Sequence, residues 1–165
     1  MAAPDREVYV MVGDGSYLMM NSEIVTAIQE RIKLTIVLLD NHGFSSIGGL
    51  SAAVGAQGFG TQYRYRDGAG QLEGDYLPVD LAANAASLGA YVIRAGDIGE
   101  VKAALAQARG SDRTTVIAVE VDREQRVPGY ESWWDVPVAE VSDVDSARQA
   151  RAEYEVARQR ERYFV

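Results

Sequence analysis

Residues 8–44 read VYVMVGDGSYLMMNSEIVTAIQERIKLTIVLLDNHGF, and this stretch decides the fold. Two apolar runs, Val8–Val12 and Leu34–Leu39, each stop abruptly in polar sequence. Gly13-Asp14-Gly15 ends the first, and Asp40-Asn41-His42-Gly43 ends the second. Between them Ile24, Val25, Ile28 and Ile32 recur at helical spacing. The pattern predicts a strand, a helix and a second strand, at about the length a right-handed parallel crossover requires. A parallel pair puts both C-terminal strand ends on one sheet edge, where α/β proteins bind ligands. Asp14 and Asn41, 27 residues apart in the chain, are therefore expected to meet in space.

The residue types at that edge suggest a ligand. Glycines beside Asp14 let the chain turn sharply and let a ligand approach the peptide groups. The following helix, expected to start between Ser16 and Asn21, would aim free N–H groups at the same place and favour a phosphate. A carboxylate, an amide oxygen and a nearby carbonyl form an oxygen-only donor set. That set suits Mg²⁺ or Ca²⁺ better than zinc, and Mg²⁺ is usually held by few protein ligands plus phosphate oxygens. The residues imply a metal–diphosphate site and go no further. The alternative, a structural Asp-Gly turn with a buried Asn, leaves the spacing unexplained.

At 165 residues the chain is long enough for one domain with a proper core. Its 47% hydrophobic and 24% charged content is that of a globular protein. The absence of cysteine excludes disulfides and thiol catalysis. A net charge of −8 argues against a nucleic-acid partner. It does not argue against an anionic cofactor, because a bound metal and a helix dipole dominate locally. No apolar run reaches the ~20 residues of a membrane span, and Met1–Glu7 does not resemble a secretory signal, so a cytoplasmic protein is expected. The first core strand opens seven residues in, and the chain is expected to be a piece of a longer protein.

Further along, Asn41–Leu77 is rich in Gly, Ser and Tyr and is expected to be a long loop, with one helical turn over Leu50–Val54. One reading makes it an active-site lid contributing Phe44, Ser45, Ser46 and Tyr63, Arg64 or Arg66; the other makes it an insertion ordered by a neighbouring chain. Asp80–Gly89 reads as a helix closed by glycine, Ala90–Arg94 as a short strand, Ile98–Arg109 as a helix capped by Asp97, and Thr114–Val121 as a β-branched strand. The alternation predicts an α/β fold, a doubly wound, mostly parallel sheet with helices on both faces. Residues 1–142 are assigned to the α/β domain, with the loop at 41–77, and residues 143–165 to a charged C-terminal helix. Val127–Val138, with Trp133 and Trp134, is expected to be extended; the tryptophans read as core or interface anchors rather than pocket walls. His42 is the only histidine. It is a candidate acid or base, although a loop hydrogen bond or a diphosphate contact is the preferred reading, since adjacency to a ligand is not geometry.

Gly13-Asp14-Gly15 followed at this distance by Asn41 resembles the signature of thiamine diphosphate enzymes. The resemblance implies that Asp14, Asn41 and the main chain of Gly43 bind Mg²⁺, that Gly13, Asp14, Gly15 and Ser16 cradle the diphosphate, and that Asn41, Gly43 and Phe44 complete the cofactor site. One departure is Asp40-Asn41, where the family often has Asn-Asn. Met19–Ile24, Asn41–Ser51, Gly58–Thr61 and Ser132–Ser142 are further similar to the trihydroxycyclohexane-1,2-dione acylhydrolase branch of myo-inositol catabolism. That likeness spans nearly the whole chain but only the cofactor-binding C-terminal part of such an enzyme. It implies C–C cleavage of a cyclic 1,2-dione to 5-deoxyglucuronic acid, with the cofactor as electron sink. It also implies a homo-oligomer whose site forms between two subunits, and an activating glutamate on a domain upstream of this chain. The chain alone is expected to bind the cofactor weakly and not to turn over. Two rivals are an acetohydroxyacid synthase-like carboligase or decarboxylase, and a non-catalytic binding or assembly module. The Trp133-Trp134-Asp135 tail and the loop after Asn41 speak against the first, and intact Asp14 and Asn41 against the second.

Overall fold

Four apolar or β-branched runs form the sheet, and they do so in parallel. In the computed structural model, which describes residues 6–123, 125 and 135–161, the strands among the described residues are β1 (Tyr9–Gly13), β2 (Thr35–Asp40), β3 (Tyr91–Ala95) and β4 (Thr115–Glu120). Their order across the sheet is β1-β2-β4-β3, every pair parallel. The registers align the strands end to end: Gly13 lies opposite Leu39, Asp40 opposite Glu120, and Ala95 opposite Val119. All four C-terminal ends therefore share one edge.

Side chains alternate across each strand, and the two sheet faces carry separate cores. On one face Ile36, Leu38 and Val116 meet Tyr17, Ile24, Leu81 and Ala85, which belong to helices α1 (Asp14–Met20), α2 (Glu23–Gln29) and α4 (Leu81–Ser87). On the other, Val37, Ile117 and Val119 meet Ala104 and Ala108 of α5 (Ile98–Gly110). The chain moves β1→β2→β3 in one direction across the sheet and returns β3→β4. Right-handed crossovers then place α1, α2 and α4 on one face and α5 on the other, as a doubly wound sheet requires. Leu38 and Ile117, fully buried on opposite faces, each contribute roughly 1.5–3 kcal/mol by leaving water.

Several local expectations shift. The first helix begins at Asp14 itself and breaks at Asn21-Ser22, giving two seven-residue helices instead of one. Asn and Ser compete for backbone groups and interrupt helices readily. The β1 residues are less covered than their apolar run implies. Tyr9 is 48% and Met11 76% exposed, because β1 is an edge strand of the described sheet and α5 packs on β2, β4 and β3. α4 and α5 start as read: Asp80 accepts the Ala83 N–H at 2.9 Å and Asp97 the Glu100 N–H at 2.8 Å. Gly89 ends α4 with φ +98°, and a Cβ there would lie 2.9 Å from Ile28 Cδ1. α5 buries Ala104 and Ala108, with Val101 and Leu105 at the margin of its core.

Residues Met1–Phe44 and Pro78–Glu124 make one compact unit, and Ser45–Leu77 with Gln125–Val165 make another. The second unit corrects the loop reading. Ser45–Ala53 is a nine-residue helix, α3, not a single turn at Leu50–Val54. Beyond it Tyr65 and Leu77 donate main-chain N–H groups to Asp75 and Tyr63 in a short antiparallel pairing. The C-terminal helix α6 spans Asp145–Arg158, with Arg151 paired to Glu155. Within this unit Gly55 has φ +84°, and a Cβ there would meet the Ala147 main chain at 2.5 Å, so glycine is required. Trp133, Trp134 and the proline at 128 lie outside the described residues.

The Asp80 cap gives a pH-dependent test. The Ala83 N–H and the Arg94 guanidinium, 2.7 Å from both carboxylate oxygens, hold its pKa below the ordinary 3.8. A depressed carboxylate stabilises fully above its unfolded pKa and loses that contribution as pH falls through its folded value. Asp80→Ala should cost about 1 kcal/mol at pH 7 in urea denaturation. The difference from wild type should narrow on acidification below 3.8, by the share that the carboxylate's charge supplies, and Asp80→Asn should keep the remainder by keeping the acceptor.

Candidate functional site

The sheet register sets the site. Asp14 follows the last residue of β1, and Asn41 follows the last residue of β2, so the two junctions emerge side by side. Asp14 is 2% exposed. Its Oδ1 accepts the Gly15 N–H and its Oδ2 the Gly43 N–H, both at 2.7 Å. One carboxylate thus ties the start of α1 to the loop after β2. Gly15 and Gly43 are buried with it, Asn41 is half-buried, and Gly13 and Ser16 face outward.

Burial pushes the Asp14 carboxyl above its ordinary range; the Gly43 and Gly15 N–H groups pull it back, and the nearby Asp40 carboxylate pushes it up again. The net shift is upward, so desolvation wins. Two carboxylates close together, one buried, make a position where a cation would relieve both costs. Among the described residues no group of three His, Cys, Asp or Glu gathers anywhere. An oxygen set of carboxylate, amide and main chain fits a hard cation that keeps other ligands of its own. Beside it the main chain is open, since a Cβ built on Gly13 would meet nothing within 4 Å.

Phe44 enters by packing, since a Cβ on Gly15 would lie 2.5 Å from its ring. The second glycine of the motif is therefore fixed by an aromatic neighbour. His42 holds φ +64°, a left-handed conformation that costs a non-glycine residue of order 1–3 kcal/mol and that His tolerates better than most. Its Nδ1 stands 3.8 Å from Asp40 Oδ1. Both line a polar cleft of about 560 Å³ over the ends of β2, β4 and β3, with Arg94, Glu120 and Arg123 on its wall. In the second unit, Arg64 is spent on its own loop, donating to the Gly74 and Glu73 carbonyls and lying over the Tyr76 ring. Arg66 donates to the Gly70 carbonyl. Ser45 and Ser46 open α3.

Sequence reading missed two features. Tyr17 and Asn21 both donate to Asn84 Oδ1, at 2.8 and 3.1 Å, pinning α1 to α4; residues more than sixty positions apart carry no local signal of this. Asp40 registered only as a departure from Asn, although Asp two residues before a turn residue is itself a turn signal.

Gly15→Ala should destabilise the chain by forcing the Phe44 ring aside, at about 1–3 kcal/mol. In a Phe44→Ala background the same change should become neutral or stabilising, by up to about 1 kcal/mol from helix propensity. A double-mutant cycle in urea measures the coupling.

Comparison with known proteins identifies the family. A family described as "Thiamine pyrophosphate enzyme, C-terminal TPP binding domain" matches residues 1–119. The 3D-(3,5/4)-trihydroxycyclohexane-1,2-dione hydrolase of Clostridium perfringens is 41% identical over 150 residues, 91% of this chain and 24% of that protein. Hydrolase 2 of the same name from Bacillus cereus is 42% identical over 151 residues, 91% of this chain and 23% of that protein. The chain thus spans about a quarter of the length of these relatives. Benzoylformate decarboxylase from Polynucleobacter necessarius superposes with a TM-score of 0.59 at 21% identity, over 76% of this chain and 21% of that one. A thiamine diphosphate-dependent 4-hydroxybenzoylformate decarboxylase from Rhodococcus jostii RHA1 gives 0.57 at 24%, over 73% and 21%; at such identities the likeness is one of fold. The chain belongs to the thiamine pyrophosphate enzymes, as their C-terminal TPP-binding domain.

Proposed function

We propose that this chain is the Mg²⁺–thiamine diphosphate-binding part of a hydrolase that opens a cyclic 1,2-dione by C–C cleavage in inositol catabolism. The observation that carries the reading is the buried Asp14 carboxylate, joined to both the Gly13–Ser16 turn and the Gly43 loop. The 41% identity to trihydroxycyclohexane-1,2-dione hydrolases over 91% of the chain supports the substrate class.

In this reading Asp14, the Asn41 side chain and the Gly43 carbonyl hold Mg²⁺. Gly13, Asp14, Gly15 and Ser16 receive the diphosphate along main-chain N–H groups, and Asn41, Gly43 and Phe44 complete the cofactor's surroundings. The bound cofactor supplies an electron sink for the cleaved C–C bond. The chain's own task is electrostatic: it collects oxygen donors where they bind a cation and aims backbone dipoles at an anion. His42 at the cleft wall orients ligand or loop. Residues 1–142 act as the cofactor domain, with α6 (Asp145–Arg158) beyond it, in a cytoplasmic enzyme. Upstream domains of the same enzyme and a second subunit complete the site, so the chain by itself binds weakly and does not hydrolyse the dione.

Calorimetric titration of thiamine diphosphate tests this, in this chain and in the longer enzyme that carries it. Saturable binding should require Mg²⁺, and Asp14→Ala should weaken it by about 100-fold or more, beyond the 10–100-fold typical of an outer-shell partner. Binding in the longer enzyme that ignores Mg²⁺ and Asp14 would contradict the reading, as would dione hydrolysis by the 165-residue chain.

A further inference from the structure

The left-handed turn at His42 has a specific support. Asp40 is the last residue of β2, and its main chain is fixed by the sheet: its carbonyl accepts the Val121 N–H at 2.9 Å, and the residue sits opposite Glu120. From that anchored position its side chain reaches forward over the loop, and Oδ1 accepts the His42 N–H at 2.9 Å. An aspartate accepting from the residue two positions on closes a local turn that stands in for backbone hydrogen bonding. The turn delivers the next residue, Gly43, with its N–H on Asp14 Oδ2 at 2.7 Å. A continuous chain of contacts therefore runs from the sheet, through the Asp40 carboxylate and the His42 main chain, to Asp14.

We propose that Asp40 is a positioning residue of the cofactor site, whose side-chain oxygen holds His42 in the left-handed turn and so sets Gly43 against Asp14. What the role needs is an acceptor at this position, not a charge, and an asparagine would serve. The same carboxylate lines the cleft beside His42 and neighbours Asp14, but it holds the turn through the His42 main chain. The functional consequence rests on the Mg²⁺–thiamine diphosphate reading above; the geometric role does not.

The test compares Asp40→Asn with Asp40→Ala, first without ligand and then with thiamine diphosphate and Mg²⁺. Amide hydrogen exchange followed by NMR should find His42 and Gly43 protected in wild type and in Asp40→Asn. Asp40→Ala should speed exchange at both by about tenfold, the worth of one hydrogen bond, with the β2 and β4 amides unchanged. Mg²⁺-supported affinity for thiamine diphosphate should be about tenfold lower in Asp40→Ala than in Asp40→Asn, since both variants lose the charge beside Asp14 and only alanine also loses the acceptor. Protected His42 and Gly43 amides in Asp40→Ala would overturn the proposal. So would an Asp40→Asn variant as impaired as Asp40→Ala, since charge would then matter and not the acceptor. One readout is independent of any variant's folding: the scalar coupling across the hydrogen bond between the His42 amide nitrogen and the Asp40 carboxylate carbon in wild type. Its presence supports the proposal and its absence overturns it. Wild type that binds no cofactor under any condition would sink the cofactor reading, and the exchange data would still decide the role of Asp40.

Discussion

A buried carboxylate held between two strand ends is the constraint on which the site depends. Asp14 gives one oxygen to the Gly15 N–H at the start of α1 and the other to the Gly43 N–H beyond β2. Leaving water is costly for a charge, and two backbone N–H groups offset only part of that cost; the upward push on the Asp14 carboxyl reports the remainder. Asp40 nearby adds to it. Under the proposed function, such an arrangement is tolerable in a ligand-free chain and would become favourable with a cation bound beside it.

The sheet makes the contact possible. A shift of β1 against β2 by one residue would turn every side chain to the opposite face and move Asp14 away from the loop. The register is defended by two independent cores, with Ile36 and Leu38 against the α1, α2 and α4 layer and Val37 against α5. The Tyr17–Asn84–Asn21 hydrogen bonds then fix α1 laterally. The strained residue, His42, lies just outside this frame, where a rigid strand end can over-determine its conformation. Backbone strain at the edge of a well-packed sheet is a common way of pre-forming a site.

Much of this was legible in the chain. Apolar runs that stop at Gly-Asp-Gly and Asp-Asn-His-Gly announce parallel strands, because strands buried on both faces have no polar alternation to blur their ends. Asp97 announced a helix start through chemistry that acts within four residues, and the alanines from Asp80 to the closing Gly89 announced another helix. What escaped was non-local or ran against propensity. α3 forms over Ser45–Ala53 despite two adjacent glycines, each worth about 1 kcal/mol against a helix, and a breaker rule cannot see the surroundings that offset them. β1 reads as fully covered, yet Met11 stands 76% exposed, since a run of apolar residues says nothing of what packs on it. His42 drew attention as an imidazole; the structure gives it a backbone role that no residue type advertises.

Manganese relaxation tests the central claim most directly. Mn²⁺ shares the oxygen-rich octahedral preference of Mg²⁺ and broadens NMR signals of nuclei close to it. With thiamine diphosphate present, the amides of Gly13, Asp14, Gly15, Asn41 and Gly43 should broaden first, at Mn²⁺ concentrations that leave the rest of the chain sharp, and Asp14→Asn should abolish the pattern. The chain carries a net charge of −8, so the contrary outcome is concrete. Broadening that starts at exposed carboxylates such as Asp145 and Glu153, and that ignores Asp14, would mean that the ion is held by the surface and that the two strand ends do not form a metal site.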